Sequence, residues 1–375
     1  MAGVLVHEWI APTGGSEQVL DEFVRAFPDA DVHALWNDAP DRIPGEVSES
    51  WIARTPLRKN KALALPFMPA AWRQLHSERA YDWALISSHL FAHHARFRGV
   101  NRAIPKLVYA HTPARYVWEP ELDQRGAGFA PRAASTILKP LDRRRAREAT
   151  AIAANSEFTR ARIQRTWDRD ATVIYPPVDT TRIIAGGAWA DRVRGHENGI
   201  LEQLPATFLL GASRFIPYKR LDLVIDAGEA SDLPVVLAGS GPERERLASR
   251  AANARVPVLI VDNPSNELLY ALFQAALVLV FPAVEDFGIM PVEAMAAGTP
   301  VVAPAIGGAA ESVELLGGGA AIESFDAPSW EHGIRAAASI DRADLQARST
   351  LLSSERFRSD VQRWVDELTR SVSPC

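Results

Sequence analysis

Short apolar runs alternate with amphipathic segments along most of the chain. In the first half, apolar runs typical of strands occupy residues 3–7, 84–87, 107–110, 150–154 and 172–175. In the second half, similar runs rich in valine and leucine occupy residues 207–211, 234–239, 257–261, 277–281 and 300–304. Helical patterns separate most of these runs, for example at residues 17–27, 219–230 and 242–252. Such alternation predicts an α/β protein in which helices cover parallel sheets, and the pattern occurs twice.

The length of the chain predicts two domains. At 375 residues it is longer than one hydrophobic core usually organises. Pro176 and Pro177 end the first set of strands, and residues 180–205 predict a linker with a weak helical pattern. A final amphipathic helix has an apolar face made of Phe357, Val361, Trp364, Val365 and Leu368. We therefore expect domains at 1–179 and 180–355, followed by a terminal helix at 356–375.

Two carboxylates flank a loop and a predicted helix start in the second half. Glu285 follows the apolar run at 277–281, and Pro291 suits the first position of a helix, where a proline loses no hydrogen bond. Glu293 then falls in the first turn of that helix. The two side chains are either solvated carboxylates, the acid pair of a glycosidase, or acceptors for the hydroxyls of a bound ligand.

The backbone between these carboxylates offers amide donors at the predicted helix start. Gly288, Ile289 and Met290 can point their N–H groups into the same space. Free N–H groups and the positive end of a helix dipole attract phosphate. Together with the carboxylates, they predict a site for a ligand that carries both phosphate and hydroxyl groups, such as a nucleotide sugar.

A pair of cations follows another predicted strand. Arg214 comes just after the run at 207–211, and Lys219 stands five residues later at the start of a predicted helix. The pair is either surface charge or a diphosphate clamp, in which arginine forms a planar fork and lysine acts as a point charge. The chain has five lysines against 36 arginines, which favours the clamp at Lys219. A glycosidase would not need such a clamp, because its substrate is neutral.

Gly14 and Gly15 lie between the first strand and the first helix. They form either a flexible turn or a place where the backbone approaches a phosphate. The chain lacks a full dinucleotide fingerprint and a P-loop lysine, so neither a nicotinamide cofactor nor a P-loop is favoured. In open α/β sheets ligands bind beyond the carboxyl ends of strands, so we expect these glycines, His111, Arg214 and Glu285 to converge on one cleft.

Histidines occur near the ends of two predicted strands. His111 follows the run at 107–110 and is either structural or part of the site. His89, His93 and His94 resemble a metal cluster only superficially, because adjacent histidines point in different directions on a helix and no acidic partner is evident. We therefore expect no metal.

Composition and charge limit the cellular setting. The chain is 47% hydrophobic and 23% charged, its apolar runs are no longer than strands, and its first residues lack the basic lead of a signal peptide. The only cysteine is Cys375, so we expect a cytoplasmic protein without disulfides.

A basic region, which we define as residues 51–116, holds 11 basic and two acidic residues in a chain of net charge −5. It contains Trp51, Phe67, Trp72 and Trp83. This mixture suits peripheral contact with the anionic inner face of a membrane, an acidic acceptor, or a solvated face. Nucleic-acid binding is not favoured, because the whole chain is acidic and has no recognised binding motif.

Two linked segments carry a family resemblance. GASRFIPYKRLDLVIDA at 211–227 and EDFGIMPVEAMAAGTPVVA at 285–303 resemble the C-terminal domain of the family-4 retaining glycosyltransferases, and residues 152–179 resemble the segment that closes their N-terminal domain. This resemblance implies a GT-B fold: two facing Rossmann-like domains with parallel sheets, an interdomain cleft, and a final helix that crosses back to the first domain.

The resemblance also implies roles for the candidate residues on the donor side. Arg214 and Lys219 would bind the diphosphate, Glu293 the nucleotide ribose, and Glu285 the hydroxyls of the donor sugar. The backbone of Phe287 to Met290 would approach the phosphate and the sugar.

Further roles are implied outside that segment. Gly15 would lie against the phosphate and sugar, and His111 would contact the donor sugar near its anomeric centre. Asp262 and Asn263 would contact the base, mostly through their backbone. The segments HEWIAPTGGSEQVL at 7–20 and YAHTPARYVWE at 109–119 are similar to those of bacterial mannosyltransferases that use GDP-mannose.

The activity expected from this resemblance is retaining transfer of a sugar, with mannose from GDP-mannose as the first choice, to a glycan, lipid-linked or polysaccharide acceptor. No metal or cofactor is expected. Three alternatives stay open: a glycosyltransferase that uses a UDP- or ADP-sugar, a nucleotide-sugar epimerase or phosphorylase on the same fold, and a two-lobed sugar-binding protein without catalytic activity.

Overall fold

The computed structural model describes residues 1–118 and 129–372, so Cys375 and the last residue of the 109–119 segment lie outside the described residues. The chain divides into two compact units. Unit 1 contains Met1–Pro177 and Glu355–Cys375, and unit 2 contains Val178–Ser354.

Unit 1 contains a parallel sheet of seven strands in the order β3-β2-β1-β4-β5-β6-β7. The strands are β1 Gly3–His7, β2 Asp31–Ala34, β3 Val47–Glu49, β4 Trp83–Ser88, β5 Lys106–Ala110, β6 Ala151–Ala154 and β7 Thr172–Val173. The helices are α1 Gly15–Ala26, α2 Lys61–Ala64, α3 Met68–Trp72, α4 Arg115–Trp118, α5 Phe129–Ala146 and α6 Glu157–Trp167. Short 3₁₀ turns occupy Trp51–Arg54, Pro56–Lys59, Ala92–His94 and Gly99–Asn101.

Both faces of the sheet of unit 1 are covered. Along β1, Val4 and Val6 belong to one hydrophobic cluster and Leu5 to another, because successive side chains of a strand point to opposite faces. This double burial is why β1 is apolar throughout. The strands β2 and β3 escape sequence prediction because they are short and half polar.

Unit 2 contains a parallel sheet of six strands in the order β10-β9-β8-β11-β12-β13. The strands are β8 Leu209–Ala212, β9 Val235–Gly239, β10 Val258–Asp262, β11 Val278–Val280, β12 Val301–Pro304 and β13 Gly319–Ile322. The helices are α7 Thr180–Ala185, α8 Asn198–Glu202, α9 Asp222–Ser231, α10 Arg244–Ala252, α11 Asn266–Ala275, α12 Ile289–Ala296, α13 Gly308–Leu316, α14 Ala327–Ala338 and α15 Arg342–Ser349. Further 3₁₀ turns occupy Trp189–Arg192, Gly195–Glu197, Pro217–Lys219 and Thr350–Leu352.

The segment at 180–205, predicted as a linker, is a packed part of unit 2. The Trp189 side chain is only 2% exposed and lies against the ring of Tyr270, with 4.8 Å between the ring centroids. Its indole N–H donates to the backbone oxygen of Ile183, and Gln274 of α11 bonds to the backbone at both Gly187 and Trp189. The prediction was wrong because the bonds with Gln274 join residues 85 and 87 positions apart.

The final helix, α16 Ser354–Val372, packs on unit 1. Phe357 stacks on Phe23 of α1 with 5.5 Å between the ring centroids. Val361, Trp364 and Val365 are buried in the same hydrophobic cluster as Leu5 and Phe23. Of the helices that the structure describes, none combines the length and apolar character needed to cross a membrane.

Candidate active site

The candidate residues of unit 2 lie at the carboxyl edge of its sheet. The strands β8 and β11 are hydrogen-bonded neighbours and run parallel. The loop after β8 carries Arg214 and Lys219, and the loop after β11 carries Glu285. Parallel neighbours end at the same edge, so the fold brings the predicted cations and carboxylate together.

Lys219 and Glu285 form an ion pair in which the lysine ammonium donates to Glu285 Oε1. The Lys219 side chain is 9% exposed and that of Glu285 is 20% exposed. The ammonium also lies 5.4 Å from the ring centroid of Phe281 and 5.3 Å from that of Tyr218. A buried ammonium needs a fixed partner, so Glu285 holds Lys219 in place. The sequence does not reveal this link, because the two residues are 66 positions apart.

Lys219 is not at the start of a helix, as the sequence predicts. It ends the 3₁₀ turn Pro217–Lys219, and α9 begins three residues later at Asp222. Arg220 between them has a left-handed backbone with φ of 49°, which breaks the continuity. The exposed side chain of Arg214 lies near this turn, with its Nη2 3.4 Å from the hydroxyl of Tyr218.

A glycine loop that sequence reasoning missed fixes the backbone around Arg214. The loop at residues 239–241 begins with Gly239, the last residue of β9, and the N–H of Phe215 donates to the backbone oxygen of Ser240 at 2.7 Å. A Cβ on Gly239 would lie 1.8 Å from the backbone oxygen of Ser213, and one on Gly241 would lie 2.5 Å from that of Phe215. Only glycine allows this approach, so the spacing G-x-G at the end of β9 was the available signal.

A second glycine pair holds the Glu285 loop. The N–H of Gly308 donates to the backbone oxygen of Glu285 at 2.8 Å. A Cβ on Gly308 would lie 2.2 Å from the backbone oxygen of Asp286 and 2.3 Å from Cα of Phe287. Gly307 has φ of 111° and caps α13. The pair stands between a strand and a helix, as Gly14 and Gly15 do, so the same signal would have found it.

The helix after this loop, α12, starts earlier than predicted. Gly288, with φ of 84° and ψ of 80°, precedes the first helical residue, Ile289. Pro291 is therefore the third helical residue and Glu293 the fifth, in the second turn. Proline is tolerated there because first-turn N–H groups have no partner within the helix. The Gly288 cap has no side-chain oxygen that accepts from the helix, so these donors suit an external anion.

Glu293 lies half-buried on α12. Burial raises the pKa of Glu293 to about 7, and the negative charge of Asp179 raises it further. Within the described ranges, the Glu293 carboxylate forms no hydrogen bond or ion pair. It can therefore exchange hydrogen bonds with the hydroxyls of a neutral ligand group, in either protonation state.

The loop after β10 carries Asp262 and Asn263. The Asp262 carboxylate is already engaged, since Arg244 Nε donates to it at 2.6 Å. Asn263 has a left-handed backbone with φ of 47°, and its N–H donates to the backbone oxygen of Gly239. The loop after β10 therefore adjoins the glycine loop at residues 239–241. Base contacts from this loop stay a prediction, and its remaining backbone groups would have to make them.

In unit 1, Gly14 and Gly15 are exposed at the N-terminus of α1, which has no side-chain cap. The Glu17 carboxylate lies 2.0 Å from the place where a Cβ on Gly14 would stand. Glu17 also accepts a hydrogen bond from Ser16 at 2.8 Å. Because this carboxylate occupies the positive end of the helix, the site suits a hydroxyl-bearing group better than a phosphate.

His111 of unit 1 belongs to a chain of hydrogen bonds. Its Nε2 lies 2.8 Å from the hydroxyl of Ser87, which lies 3.0 Å from Nδ1 of His7. His7 ends β1, Ser87 is the last but one residue of β4 and His111 follows β5, so all three lie at the carboxyl ends of neighbouring strands. Burial lowers the pKa of His7 well below its ordinary value, and His89 and His111 lower it further. His7 is therefore neutral, and one serine hydroxyl couples its tautomer to that of His111.

His89 lies beside this chain, with its ring centroid 6.2 Å from that of His111 and 6.0 Å from that of His7. Burial lowers the pKa of His89 to about 3, with a further contribution from His111. His89 thus belongs with His7 and His111. Gly14, Gly15 and His111 belong to unit 1, whereas Arg214 and Glu285 belong to unit 2. That these residues converge on one cleft stays a prediction.

The expectation that His93 and His94 lack an acidic partner is wrong. The Nε2 atoms of both rings lie 3.0 Å from Oδ1 of Asp142, and all three residues are buried. The other oxygen of Asp142 accepts from the indoles of Trp118 and Trp167, each at 2.7 Å. Asp142 is therefore the acidic partner of both histidines, and the prediction failed because Asp142 is 48 positions from His94.

The two units match different family models. Residues 13–182 match the model of Glycosyltransferase Family 4, and residues 198–349 match that of Glycosyl transferases group 1. Among curated relatives, the chain is 32% identical over 228 residues to D-inositol 3-phosphate glycosyltransferase of Geodermatophilus obscurus, which covers 55% of the chain and 48% of that protein. It is 30% identical over 149 residues to an uncharacterized glycosyltransferase of Methanocaldococcus jannaschii, with 38% of each chain covered. The chain spans half or less of the length of these relatives.

Solved structures match over the whole chain. The crystal structure of Anabaena Alr3699/HepE in complex with UDP has a TM-score of 0.68 at 19% identity and covers 98% of this chain and 100% of its own. Sucrose-phosphate synthase from Thermosynechococcus elongatus has a TM-score of 0.69 at 16% identity, with 99% and 100% covered. At this identity the likeness concerns the fold, which is GT-B. The chain is therefore a GT-B protein whose two units match glycosyltransferase families, family 4 in the first unit and group 1 in the second.

Proposed function

We propose that this protein is a retaining glycosyltransferase that moves a sugar from a nucleoside diphosphate to a hydroxyl acceptor. The observation that carries the proposal is the buried Lys219–Glu285 ion pair, which lies at the same sheet edge as Arg214 and α12. A diphosphate leaving group gains negative charge as the sugar departs. Positive groups that are fixed before the reaction stabilise that charge most effectively.

The remaining groups of unit 2 suit the rest of a donor. Glu293 has a raised pKa and no partner in the described chain, which favours contact with ribose hydroxyls over contact with another charge. Glu285 binds Lys219 through Oε1, and its second oxygen is suited to a hydroxyl of the donor sugar. In this proposal Glu285 binds and orients, and it does not attack the sugar.

The transfer step proceeds on one face of the sugar. The bond between the anomeric carbon and the diphosphate oxygen breaks, and its electron pair stays on the diphosphate. The acceptor hydroxyl attacks from the same face, and its proton passes to the leaving phosphate, so the configuration is retained. His111 contacts the donor sugar, and Ser87 and His7 fix its tautomer. Arg214, Lys219 and the N-terminus of α12 supply the positive charge, so the proposal includes no metal or cofactor.

The proposed donor is GDP-mannose, on the resemblance of residues 7–20 and 109–119 to bacterial mannosyltransferases. Alr3699/HepE was crystallised with UDP and with UDP-glucose, and this favours a UDP-sugar as the alternative donor. An epimerase or phosphorylase would use the same diphosphate site, and a two-lobed binding protein would use it without turnover.

The proposed acceptor is a glycan, a polysaccharide or a lipid-linked sugar at the inner face of a membrane, in a cytoplasmic setting. Trp51, Leu63 and Phe67 are 38%, 61% and 46% exposed, and the rings of Trp51 and Phe67 lie 6.4 Å apart. Arg54 and Lys59 are exposed nearby in sequence and have no carboxylate partner in the described ranges. Apolar and basic side chains together suit an anionic lipid surface. Co-sedimentation with anionic vesicles that survives Trp51→Ser and Phe67→Ser would contradict this contact.

The test is a thermal-shift panel of GDP, UDP, ADP and their sugar conjugates, followed by product analysis. A ligand that binds only the folded protein raises Tm by mass action. A shift with GDP and GDP-mannose, and a new glycoside as the product, is the expected result. A shift with UDP compounds would show that the donor is a UDP-sugar. An isomerised nucleotide sugar as the product would indicate an epimerase, and a sugar phosphate would indicate a phosphorylase. No shift with any compound would overturn the diphosphate site.

A further inference from the structure

A cavity of about 400 Å³ lies at the amino edge of the sheet of unit 1, opposite the edge where His111 lies. It opens between the start of β5 and the preceding loop, and its walls include Arg96, Phe97, Arg102, Lys106 and Glu148. A second cavity of about 260 Å³ shares Arg96, Phe97 and Arg102 and adds Arg73 and Arg98. The volume of the first cavity lies within the range of small-molecule sites, roughly 300–1,000 Å³.

Lys106, the first residue of β5, brings a buried amino group to this cavity. Lys106 is 9% exposed, and its ammonium group donates to the backbone oxygen of His93. One of its three N–H donors is therefore used by that carbonyl. Burial lowers the pKa of Lys106 to about 7; Glu148 opposes the effect, while Arg73 and other arginines add to it.

The charge around the cavity is strongly positive. Among the described residues that line it, Glu148 is the one carboxylate, and both Arg73 and Arg145 bind it. Arg96 and Arg102 are exposed and have no carboxylate partner within the described parts of the chain. The guanidinium groups of Arg96 and Arg102 are therefore available to bind an anion.

We propose that this cavity binds a small anion that carries two or more phosphate groups. Guanidinium groups bind phosphate oxygens in pairs, and the volume exceeds what a single phosphate fills. Phe97 and Ile104 supply an apolar wall, which admits either an inorganic polyphosphate or the diphosphate of a nucleotide. The basic region at 51–116 therefore does not form a single surface. Arg96, Arg102 and Lys106 surround the amino edge of the sheet, whereas Trp51 follows the carboxyl end of β3.

The experiment uses the full chain with Arg214→Ala and Lys219→Ala combined, so that the proposed donor site cannot account for binding. Pyrophosphate, tripolyphosphate and GDP are titrated by calorimetry and by thermal shift at constant ionic strength. We expect pyrophosphate or tripolyphosphate to bind and to raise Tm. Adding Arg102→Gln or Lys106→Met should then weaken binding at least tenfold, whereas Arg58→Gln, whose arginine pairs with Asp38, should not change it.

The outcomes separate the sources of the ligand. Binding of the inorganic anions assigns the site to the phosphates alone, and tighter binding of GDP extends it to a nucleotide. Arg102 is exposed, so its variant tests the site even if Lys106→Met does not fold. The proposal is overturned if the three compounds leave Tm unchanged, if Arg102→Gln binds as tightly as its parent, or if chloride of equal ionic strength gives the same stabilisation.

Discussion

Replacing Lys219 by methionine tests the candidate active site most directly. The substitution keeps an unbranched side chain of similar length but removes the ammonium that donates to Glu285. If Lys219 stabilises the leaving diphosphate, turnover should fall by about 10²- to 10³-fold, the loss seen when one fixed donor to a developing charge is removed. This corresponds to about 2.7–4 kcal/mol in the activation free energy.

The same substitution affects stability, because it leaves Glu285 without its cation. Removing one partner of a fully buried ion pair costs about 3–5 kcal/mol. The cost should be smaller here, because the Glu285 side chain is 20% exposed to solvent. Low activity of Lys219→Met alone could therefore reflect a displaced loop.

The double variant Lys219→Met with Glu285→Gln, compared with Glu285→Gln alone because Glu285 is proposed to bind the donor sugar, separates the two effects. It removes both charges, so the free energy of unfolding should return towards that of the wild type, while turnover should stay at least 10²-fold low. The assays are release of nucleoside diphosphate from the donor that the thermal-shift panel identifies, and chemical unfolding of each variant. The reasoning is refuted if the folded Lys219→Met variant turns over at a rate near that of the wild type, or if the double variant regains activity.

Two further predictions follow from the geometry of unit 2. Gly308→Ala should weaken donor binding at least tenfold, because the new Cβ would lie 2.2 Å from the backbone oxygen of Asp286 and displace the Glu285 loop; Gly199→Ala, where a Cβ meets nothing within 4 Å, is the matched control, and equal binding by both variants would contradict the argument. Glu293→Gln should have a higher Tm than the wild type at pH 8, and the difference should shrink towards pH 5. The folded-state pKa of Glu293 is raised to about 7, so the stability that its proton contributes is present below the unfolded pKa and is lost as the pH rises through the folded one. A Tm difference that does not change with pH would contradict this.

The sequence predicted the parts of the fold that depend on local pattern. Runs such as 234–239 and 300–304 are apolar because both faces of a parallel strand are buried, so their strands were recognisable. The strand β13 was missed because it begins with the last of three consecutive glycines, 317–319, a composition typical of loops. The close approach of Gly319 to β12, where a Cβ would lie 1.8 Å from the backbone oxygen of Val301, explains why glycine stands there.

The candidate site was predictable in its residue types but not in its pairings. The carboxyl ends of parallel strands fix which loops meet, so Arg214, Lys219 and Glu285 could be assigned to one edge. Their spacing along the chain does not encode which side chains bond, so the Lys219–Glu285 pair and the contacts of Asp142 with two histidines were not found. Both depend on tertiary contacts between distant positions.

The packing of α16 on unit 1 has a consequence for how the protein is made. The ring of Phe357 covers Phe23 and lies 5.7 Å from that of Tyr109, yet all of unit 2 is translated between those partners. During synthesis, unit 2 can therefore complete its core before α16 packs on this apolar face of unit 1. We therefore expect a nascent chain that stalls before residue 354 to expose this apolar face to chaperones. Unit 1 is synthesised first, but its core is completed only after unit 2 has been synthesised.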